Sequence, residues 1–464
     1  MHTTVVPVHH IGRGRPPQGF QAERVRHLTR AGGELLIDRL SGAWVMLDAR
    51  DAPLIPLLAS PAAVPTDSPL HGRLQQLHQR LEAQGVGHAR VRPPHEALNT
   101  VILKLTNACN LACTYCYDHE DLERATVLPL PDIEAVLAQA LDLVEQRLWV
   151  ILHGGEPTLL WPQIEKIVQA GEALAQARGK QIEFTGQTNL TRLSERMVRF
   201  SVRHGIDWGV SLDGPAPIND RFRVLHNGRG SFDHFEQALQ AFPDFVRTCG
   251  VMTTVTTINA DRLCEIARFF RDKGIPAWDW SLFQPIGRAR HAEGMAPETE
   301  DVLRSWNALF EAVEGGEFDG YAVKPVTKYL DNFLHGPGAN MCMRGDCGAA
   351  RDLLSVSANG TIEACDCIDP QGPLADLGQV SQTSLVQARA SGRAQQIRSR
   401  DLSGHALCGT CLWYGVCGGT CLAHAQGVDD VWDLGCAVAQ LAFERISNSL
   451  SRSDRLLDYQ RSLS

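Results

Sequence analysis

The chain has 464 residues, of which 44% are hydrophobic and 21% are charged, the balance of an ordinary globular protein large enough for two or three domains. Its net charge of −9 argues against a general nucleic-acid binder, and no apolar run is long enough to predict a membrane span. Residues 1–10 lack the charged and then apolar pattern of a secretory signal, so we predict a cytoplasmic protein.

Residues 1–98 are predicted to form a small α+β module ahead of the main domain. The segment 35–47 predicts two strands joined at Ser41 and Gly42, and a helix ended by Gly85 follows. The apolar residues that recur on one face of this helix are Leu70, Leu74, Leu77 and Leu81. A hairpin followed by helices is compatible with a winged-helix-like module. A structural extension packed on the next domain is an equal alternative.

Residues 99–290 alternate short apolar runs with amphipathic stretches, which predicts an α/β domain. The predicted strands cover residues 101–105, 149–152, 181–184, 208–212, 251–257 and 278–283. The predicted helices, the first capped by Asp132 and the third ended by Gly205, cover residues 133–148, 161–178, 194–204, 232–242 and 261–273. Six successive β-α units imply a parallel sheet with right-handed crossovers and are too few for a complete eight-unit barrel. We therefore predict a partial, TIM-like (β/α)6 barrel whose chemistry lies in the loops after the strands.

Fourteen cysteines need an explanation in a reducing compartment, where disulfides are rare and metal or redox use is favoured. Cys249 and Cys264 stand alone in apolar contexts, so we predict that they are inert core residues. All the others fall into a loop after the first core strand or into the segment 342–436. A connector over residues 291–340, with a helix near 300–314, is predicted to join these two regions.

The loop after the first core strand has the spacing C-x3-C-x2-C and contains Cys109, Cys113 and Cys116. Structural zinc sites and electron-transfer clusters take four protein ligands, so three thiolates leave one coordination position of a metal open. The open position predicts that something other than protein binds there. Tyr115 and Tyr117 flank the last cysteine, where aromatic rings suit stacking on a ligand or packing in the core.

Polar residues follow the next three predicted strands, where the carboxyl ends of parallel strands meet at one mouth of the barrel. These residues are Gly154, Gly155, Glu156, Gln187, Asn189, Ser211 and Asp213. The two glycines allow backbone to approach a ligand closely, and Glu156 can accept hydrogen bonds from an ammonium group. Arg223 comes soon after and suits a carboxylate through two parallel bonds, with a solvated surface arginine as the alternative.

The cysteine spacing and the Gly-Gly-Glu-Pro segment after the second strand resemble the radical S-adenosylmethionine (SAM) enzymes. The resemblance implies a [4Fe-4S] cluster on the three thiolates, with the amino and carboxylate groups of SAM on its open iron. It also implies that Glu156 holds the amino group, that Arg223 pairs with the carboxylate, and that Tyr115 or Tyr117 stacks on adenine. The ribose hydroxyls would then be bound by Gln187, Asn189, Ser211 and Asp213.

The cysteines of residues 341–440 follow a longer pattern and are Cys342, Cys347, Cys365, Cys367, Cys408, Cys411, Cys417, Cys421 and Cys436. Taken alone, the array suits two zinc ribbons as well as iron–sulfur clusters. Its spacing resembles the SPASM domain, which carries two auxiliary [4Fe-4S] clusters and so brings the implied total to three. The resemblance implies one auxiliary cluster on Cys342, Cys347, Cys365 and Cys421. It implies a second on Cys408, Cys411, Cys417 and Cys436.

Two residues of this region lie outside the implied ligand sets. Cys367 is spare and could replace a ligand or contact a substrate. Asp366 follows Cys365 directly, and in the sulfatase-maturase branch an aspartate in this setting deprotonates the substrate. A loop aspartate bonded to backbone amides is the alternative. Residues 441–464 are predicted to form a C-terminal helix and tail.

The resemblance implies a radical SAM/SPASM maturase that generates a 5′-deoxyadenosyl radical and forms a thioether or carbon–carbon crosslink in a ribosomally made peptide. The expected partners are a precursor peptide or target protein and a low-potential electron donor such as flavodoxin or ferredoxin, with no nucleic acid and no membrane. The N-terminal module would capture a leader peptide by strand addition. Two alternatives stay open: formylglycine formation on a serine or cysteine by an anaerobic sulfatase maturase, and a non-catalytic iron–sulfur sensor or adaptor.

Overall fold

A computed structural model describes residues 19–60, 64–88, 97–118, 125–336, 339, 342, 347–425 and 427–463, so the prediction made on residues 1–10 lies outside the described residues. The strands are β1 Val25–Arg30, β2 Gly33–Asp38, β3 Trp44–Leu47, β4 Thr100–Lys104, β5 Arg147–His153, β6 Gln181–Thr188, β7 Asp207–Ser211, β8 Gly250–Val255, β9 Ala277–Leu282, β10 Ala322–Val323, β11 Leu353–Val356, β12 Thr361–Glu363 and β13 Asp376–Gln379.

The helices surround these strands. They are α1 Pro69–Gln84, α2 Leu130–Leu143, α3 Trp161–Ala177, α4 Glu195–His204, α5 Ala216–Phe222, α6 Phe232–Ala241, α7 Pro243–Val246, α8 Leu263–Asp272, α9 Thr299–Glu314, α10 Lys324–His335, α11 Leu385–Ala390, α12 Gly392–Arg398, α13 Tyr414–Cys417, α14 Asp433–Arg452 and α15 Arg455–Ser462. Short 3-10 helices cover Ala22–Arg24, Ala52–Ala59, Pro157–Leu160, Gly287–His291 and Leu422–His424.

A ten-stranded sheet forms the centre of the molecule, in the order β10-β9-β8-β7-β6-β5-β4-β11-β12-β13. Strands β4 to β9 are parallel and neighbour one another in chain order, with Thr100 opposite Trp149 where β4 meets β5. At least one helix connects each of these strands to the next. The predicted α/β class and the six-unit partial barrel are therefore confirmed.

The sheet continues beyond the barrel at both edges. At one edge β10 pairs in parallel with β9. At the other, β11 pairs in parallel with β4 along the register from Leu353–Thr100 to Val356–Leu103, and the antiparallel strands β12 and β13 follow. Backbone hydrogen bonds therefore join the C-terminal region to the first strand of the barrel.

Apolar periodicity explains how the barrel elements pack. All of β4 is buried, as expected of a parallel strand covered on both faces. One face of α2 is buried through Ile133, Val136, Leu137, Ala140 and Leu141. The predicted end of α4 is confirmed at Gly205, whose φ of 60° lies in the left-handed region that favours glycine.

The first core helix differs from its prediction at both ends. Its first residue is Leu130, so Asp132 lies inside the first turn, and the described structure shows no side-chain cap there. Pro131 suits these early helical positions, which explains the earlier start. The helix ends at Leu143, and Leu148 belongs to β5, where it is buried as a strand residue. A single apolar residue fits a helical and a strand pattern equally well, so periodicity alone placed it wrongly.

The N-terminal module consists of an antiparallel sheet of three strands, in the order β1-β2-β3, and the helix α1. The predicted hairpin is confirmed as β2 and β3, and the predicted helix ends at Gly85, whose φ is 77°. Leu70 is exposed, whereas Leu74, Leu77 and Leu81 face the core as predicted. The sequence does not predict β1, because its polar and apolar residues alternate weakly.

This module packs on the helices of the C-terminal half. Trp44 Nε1 donates to the carbonyl oxygen of Phe333 in α10 at 2.7 Å. The Arg30 guanidinium donates to both carboxylate oxygens of Glu444 in α14, each at 2.7 Å. Contacts on two different helices fix the orientation of the module on the rest of the protein.

The segment between the barrel and the C-terminal cysteines contains more regular structure than predicted. The helix predicted near residues 300–314 is confirmed as α9, whereas β10 and α10 follow without having been predicted. The helix α14 runs through residue 440, so the predicted boundary between residues 440 and 441 falls within it. None of the helices in the described parts of the chain is long and apolar enough to cross a membrane.

Candidate active site

A cavity of about 280 Å³ opens at the carboxyl ends of the barrel strands. This volume is close to that of pockets for small ligands. The cysteine loop after β4 forms one wall, and Asp366 and Cys367 from the C-terminal region form another. Asp213 is absent from the lining, and the predicted residues that do line the cavity are Cys109, Cys113, Cys116, Tyr115, Tyr117, Gly154, Gly155, Glu156, Gln187, Asn189, Ser211, Arg223 and Asp366.

The three thiols of the cysteine loop share this cavity. The loop is held by hydrogen bonds such as Ala289 N to Cys116 O at 3.2 Å, and Leu111 N donates to Cys109 Sγ at 3.4 Å. Burial raises the pKa of Cys109 to about 12 and that of Cys113 to about 11, so both thiols hold their protons at neutral pH in the metal-free chain. A bound metal would displace these protons. Three sulfur donors on one cavity fit an iron–sulfur cluster with an open position.

Gly154 and Gly155 line the cavity and also hold the entry to the cysteine loop. A Cβ atom on Gly154 would lie 2.4 Å from Thr106 O, and one on Gly155 would lie 2.1 Å from Ala108 O. Gly155 N donates to Thr106 O at 2.7 Å, and Glu156 N donates to Ala108 O at 2.9 Å. Residues 106–108 therefore pass so close to both positions that only glycine fits there. The sequence does not predict this backbone contact.

The Glu156 carboxylate is 1% exposed and connects the ends of β5 and β6. Its Oε1 accepts from Thr158 N at 3.1 Å and from Thr188 Oγ1 at 2.8 Å, and its Oε2 accepts from Asn189 N at 2.7 Å. Burial raises the pKa of Glu156, and these hydrogen bonds oppose the rise by favouring the charged form. Among the described residues only Asn189 donates to Oε2, which leaves that oxygen with acceptor capacity in a residue that lines the cavity.

Tyr115, Asp213 and Arg223 form a buried hydrogen-bonded group in which none is more than 7% exposed. Tyr115 Oη donates to Asp213 Oδ2, and Arg223 Nη1 donates to Tyr115 Oη at 3.0 Å. The Tyr115 ring meets Phe222 edge-on, with the ring centroids 6.2 Å apart. Burial raises the pKa of Asp213, and the Arg223 charge opposes the rise. The alternative of a solvated surface arginine is excluded, and Asp213 lies behind the tyrosine rather than on the cavity wall.

The residues after β6 and β7 bond to one another and to the cysteine loop. Gln187 Nε2 donates to Ser211 Oγ at 2.7 Å, across the pair of neighbouring strands. Asn189 Nδ2 donates to Asn110 Oδ1 at 2.9 Å and lies 3.8 Å from Cys109 Sγ. These amide and hydroxyl groups form the polar side of the cavity.

On the opposite side, residues that the sequence prediction missed lie beside the predicted Tyr117 and Asp366. Tyr117 Oη donates to Asp366 Oδ2 at 3.4 Å, and the Tyr117 ring lies 6.4 Å from that of His153. Lys104 Nζ donates to the carbonyl oxygen of Asp366 at 3.2 Å. Gln284 also lines the cavity and bonds to the carbonyl of Ala423 at 3.1 Å, through Nε2. Polar residues that end apolar strands, such as Lys104 and His153, are the signal that could have found them.

The eight cysteines implied as auxiliary ligands fall into two groups. Burial raises the pKa of the Cys421 thiol, and the nearby thiols of Cys342, Cys347 and Cys365 raise it further. Burial also raises the pKa of Cys417 to about 12, with further contributions from Cys411, Cys436 and Cys408. Each group therefore has the four thiols that a [4Fe-4S] cluster needs.

Cys367 lies beside the first of these groups and also lines the cavity. Its sulfur, the Cys365 sulfur and an oxygen of the Asp366 carboxylate all lie within 4.8 Å of one another, a spacing at which they could hold a metal ion. The turn Cys365–Asp366–Cys367 therefore connects the first group of thiols to the cavity.

The parallel partial barrel, with a three-thiol loop and a polar cavity at its carboxyl end, defines the radical SAM class of domain. The sequence model of the radical SAM superfamily matches residues 103–270, and this part of the chain is a radical SAM domain.

Known proteins resemble most of the chain. The cysteine-type anaerobic sulfatase-maturating enzyme of Clostridium novyi (strain NT) is 22% identical over 79% of this chain and 99% of its own length. Native anSMEcpe with bound AdoMet and Cp18Cys peptide superposes with a TM-score of 0.67 at 20% identity, over 80% of this chain and 99% of that one. Streptococcus suis SuiB bound to precursor peptide SuiA superposes with a TM-score of 0.54 at 15% identity, over 89% of this chain and 98% of that one. At these identities the structural likeness establishes the fold.

Proposed function

We propose that this chain is a radical SAM maturase that oxidises a residue within a polypeptide. The observation that carries the proposal is the cavity, where the three-thiol loop meets a turn that brings Asp366 and Cys367 from the C-terminal cysteine region. One wall offers donors for a cluster with an open position, and the other offers a carboxylate beside a second set of thiols. A single substrate in this cavity would contact both.

Cys109, Cys113 and Cys116 would hold a [4Fe-4S] cluster, which with bound SAM would supply the radical chemistry that removes a hydrogen atom from the substrate. The acceptor capacity of Glu156 Oε2 suits the SAM ammonium group, and Gln187 and Ser211 suit the ribose hydroxyls. Arg223 uses Nη1 on Tyr115, so its remaining N–H groups would serve the SAM carboxylate. Buried polar partners on one side of the cavity support this orientation of SAM.

The second wall supports a two-electron oxidation. Asp366 lines the cavity and accepts a hydrogen bond from Tyr117, so it can take a proton from a substrate that has lost a hydrogen atom. Cys365 is adjacent and belongs to the first group of four thiols, donors that would suit a cluster able to take the remaining electron. The substrate would thus lose a hydrogen atom to the radical, a proton to Asp366 and an electron to the auxiliary cluster. These losses balance the formation of one new bond in the substrate. An external donor such as flavodoxin or ferredoxin would supply the electron that cleaves SAM.

The leading substrate is a ribosomally made precursor peptide that receives a thioether or carbon–carbon crosslink. The structure of SuiB, which contains a precursor peptide, matches 89% of this chain. Residues 99–464 make up a smaller share of the chain than that, so the match extends into the N-terminal module. That module has a three-stranded sheet, in which β3 is an edge strand next to α1. An edge strand beside a helix suits capture of a leader peptide by strand addition.

Formylglycine formation on a sulfatase is the second candidate. It is favoured by the Cys365–Asp366 pair and by the similarity to the Clostridium novyi enzyme. A non-catalytic sensor or adaptor is disfavoured, because the polar cavity next to the cysteine loop would have no purpose in a scaffold.

Anaerobic reconstitution tests the radical SAM activity. We expect the protein to bind about twelve iron atoms, as three four-iron clusters require. With dithionite it should release 5′-deoxyadenosine from SAM, and the Cys109→Ala, Cys113→Ala, Cys116→Ala triple variant should release none. Undiminished release from the triple variant would contradict the proposal. The triple variant should still bind about eight iron atoms, which serves as the control for folding.

Mass spectrometry of a coexpressed partner separates the two substrates. The partners to test are the products of neighbouring genes, either a short precursor peptide or a sulfatase. Loss of two mass units for each crosslink supports peptide maturation, whereas conversion of a serine or cysteine to formylglycine supports sulfatase maturation. A partner that is unmodified although 5′-deoxyadenosine accumulates would argue against that partner as the substrate.

A further inference from the structure

A buried lysine connects the two cysteine regions beneath the cavity. Lys104 is the last residue of β4, and its side chain is 6% exposed. Its Nζ lies 3.0 Å from Asp118 Oδ1, 3.3 Å from Glu363 Oε2 and 3.2 Å from the carbonyl oxygen of Asp366. These partners come from segments far apart in sequence, so the lysine joins parts of the chain that local structure does not connect.

The two carboxylates lie next to proposed cluster ligands. Asp118 is two residues after Cys116, in the cysteine loop of the barrel, and Glu363 is two residues before Cys365. The Asp118 and Glu363 side chains are only 9% and 5% exposed. Three buried charges are costly unless they remain in contact. The lysine contact therefore fixes the separation of the two loops.

The ammonium group remains charged in this setting. Two buried carboxylates lie 3.0 Å and 3.3 Å from Nζ, and such close opposite charges favour the charged form of the amine. Lys104 thus supplies a permanent positive charge between the cysteine loop and the Cys365–Asp366–Cys367 turn.

We propose that Lys104 is a positioning residue that holds the Cys365–Asp366–Cys367 turn against the cysteine loop, and that its charge raises the reduction potential of the cluster bound by Cys365. The inference rests on the proposed function, since it requires clusters at both groups of thiols. A nearby positive charge stabilises the reduced and more negative state of a cluster. Through the carbonyl of Asp366, the same contact sets where the proposed proton acceptor stands on the cavity wall.

The test is a redox titration followed by electron paramagnetic resonance on the reconstituted full-length chain. The Cys109→Ala, Cys113→Ala, Cys116→Ala background removes the cluster of the barrel, so the two auxiliary clusters can be observed alone. In this background Lys104→Met should shift the midpoint potential of one auxiliary cluster downward and leave the other unchanged. Glu363→Gln should shift the same cluster upward, because it removes a negative charge.

Two further variants separate a charge effect from a loss of structure. Lys104→Arg keeps the charge, so its potential should lie closer to that of the background protein than the potential of Lys104→Met does. The pair Lys104→Met with Glu363→Gln loses one charge of each sign, so its potential should also lie close to that of the background protein. Lys166→Met, at an exposed position on α3, is the matched control and should leave both potentials unchanged. Should Lys104→Met alone fail to bind iron, the pair is compared with Glu363→Gln and should have the lower potential, because only the pair lacks the lysine charge.

Unchanged potentials in Lys104→Met, with both signals present, would overturn the role of Lys104 and leave the proposed function intact. Absence of both auxiliary signals from the triple-alanine background would overturn the proposed function and this inference together. The two failures are thus distinguished in one experiment.

Discussion

At the scale of single residues, Tyr115 shows how a side chain that lines the cavity can also hold its neighbours in place. Tyr115 was expected to offer its ring, but its hydroxyl joins a buried carboxylate to a buried guanidinium. Without that hydroxyl, Asp213 and Arg223 would each lose a partner, although neither is more than 7% exposed. Leaving buried polar groups unsatisfied costs more than the hydrogen bond itself contributes.

This arrangement predicts that Tyr115→Phe lowers the free energy of unfolding by about 1–3 kcal/mol, because two buried charged groups each lose a hydrogen bond. Anaerobic urea titration measures the effect. The matched control is Tyr321→Phe, since the Tyr321 hydroxyl is buried with no hydrogen-bond partner among the described residues. The control should change the stability little or increase it. Equal losses in both variants would show that the Tyr115 hydroxyl has no special role.

At the scale of elements, the segment after β5 supports the loop after β4. Parallel strands place their carboxyl ends side by side, so consecutive loops can bond through their backbones. Here the second loop bonds to residues 106–108, directly before the first cysteine. Residues without side chains are required for such an approach. The Gly-Gly pair thus connects a strand-end motif to the geometry of the thiols.

Gly155→Ala tests this connection. Its Cβ would lie 2.1 Å from Ala108 O, so the backbone before Cys109 must move. We expect loss of the barrel cluster, a fall of about four in about twelve bound iron atoms, and loss of 5′-deoxyadenosine release. Iron analysis and chromatography measure the two effects. Gly72→Ala is the control, because a Cβ at Gly72 in α1 meets nothing within 4 Å. Normal iron content in Gly155→Ala would show that the loop tolerates the displacement.

At the scale of the whole molecule, the barrel could be predicted from the sequence because its strands are long apolar runs separated by amphipathic helices. The strand predicted at residues 101–105 is β4, shifted by one residue. The edge strands could not be predicted, since β10 has two residues and β12 three, and such short strands depend on the neighbours they pair with. Contacts such as that of Lys104 with Glu363 join distant segments, which no local pattern encodes. The position of the three loop cysteines at the cavity could be predicted, because they follow the first strand of the barrel.

The continuous sheet predicts that the barrel cannot fold without the C-terminal region. In a chain that ends at residue 340, β4 loses its partner β11 and becomes an edge strand although it is apolar and buried along its length. The helices α9 and α10 also lose their contacts with α14. Exposed apolar edges pair with other chains, so we expect this truncated protein to aggregate. Coexpression of residues 341–464 as a separate chain should restore part of the soluble yield, because β11 can then pair in trans. A soluble, monomeric truncated protein in gel filtration would instead indicate that the barrel is an independent folding unit.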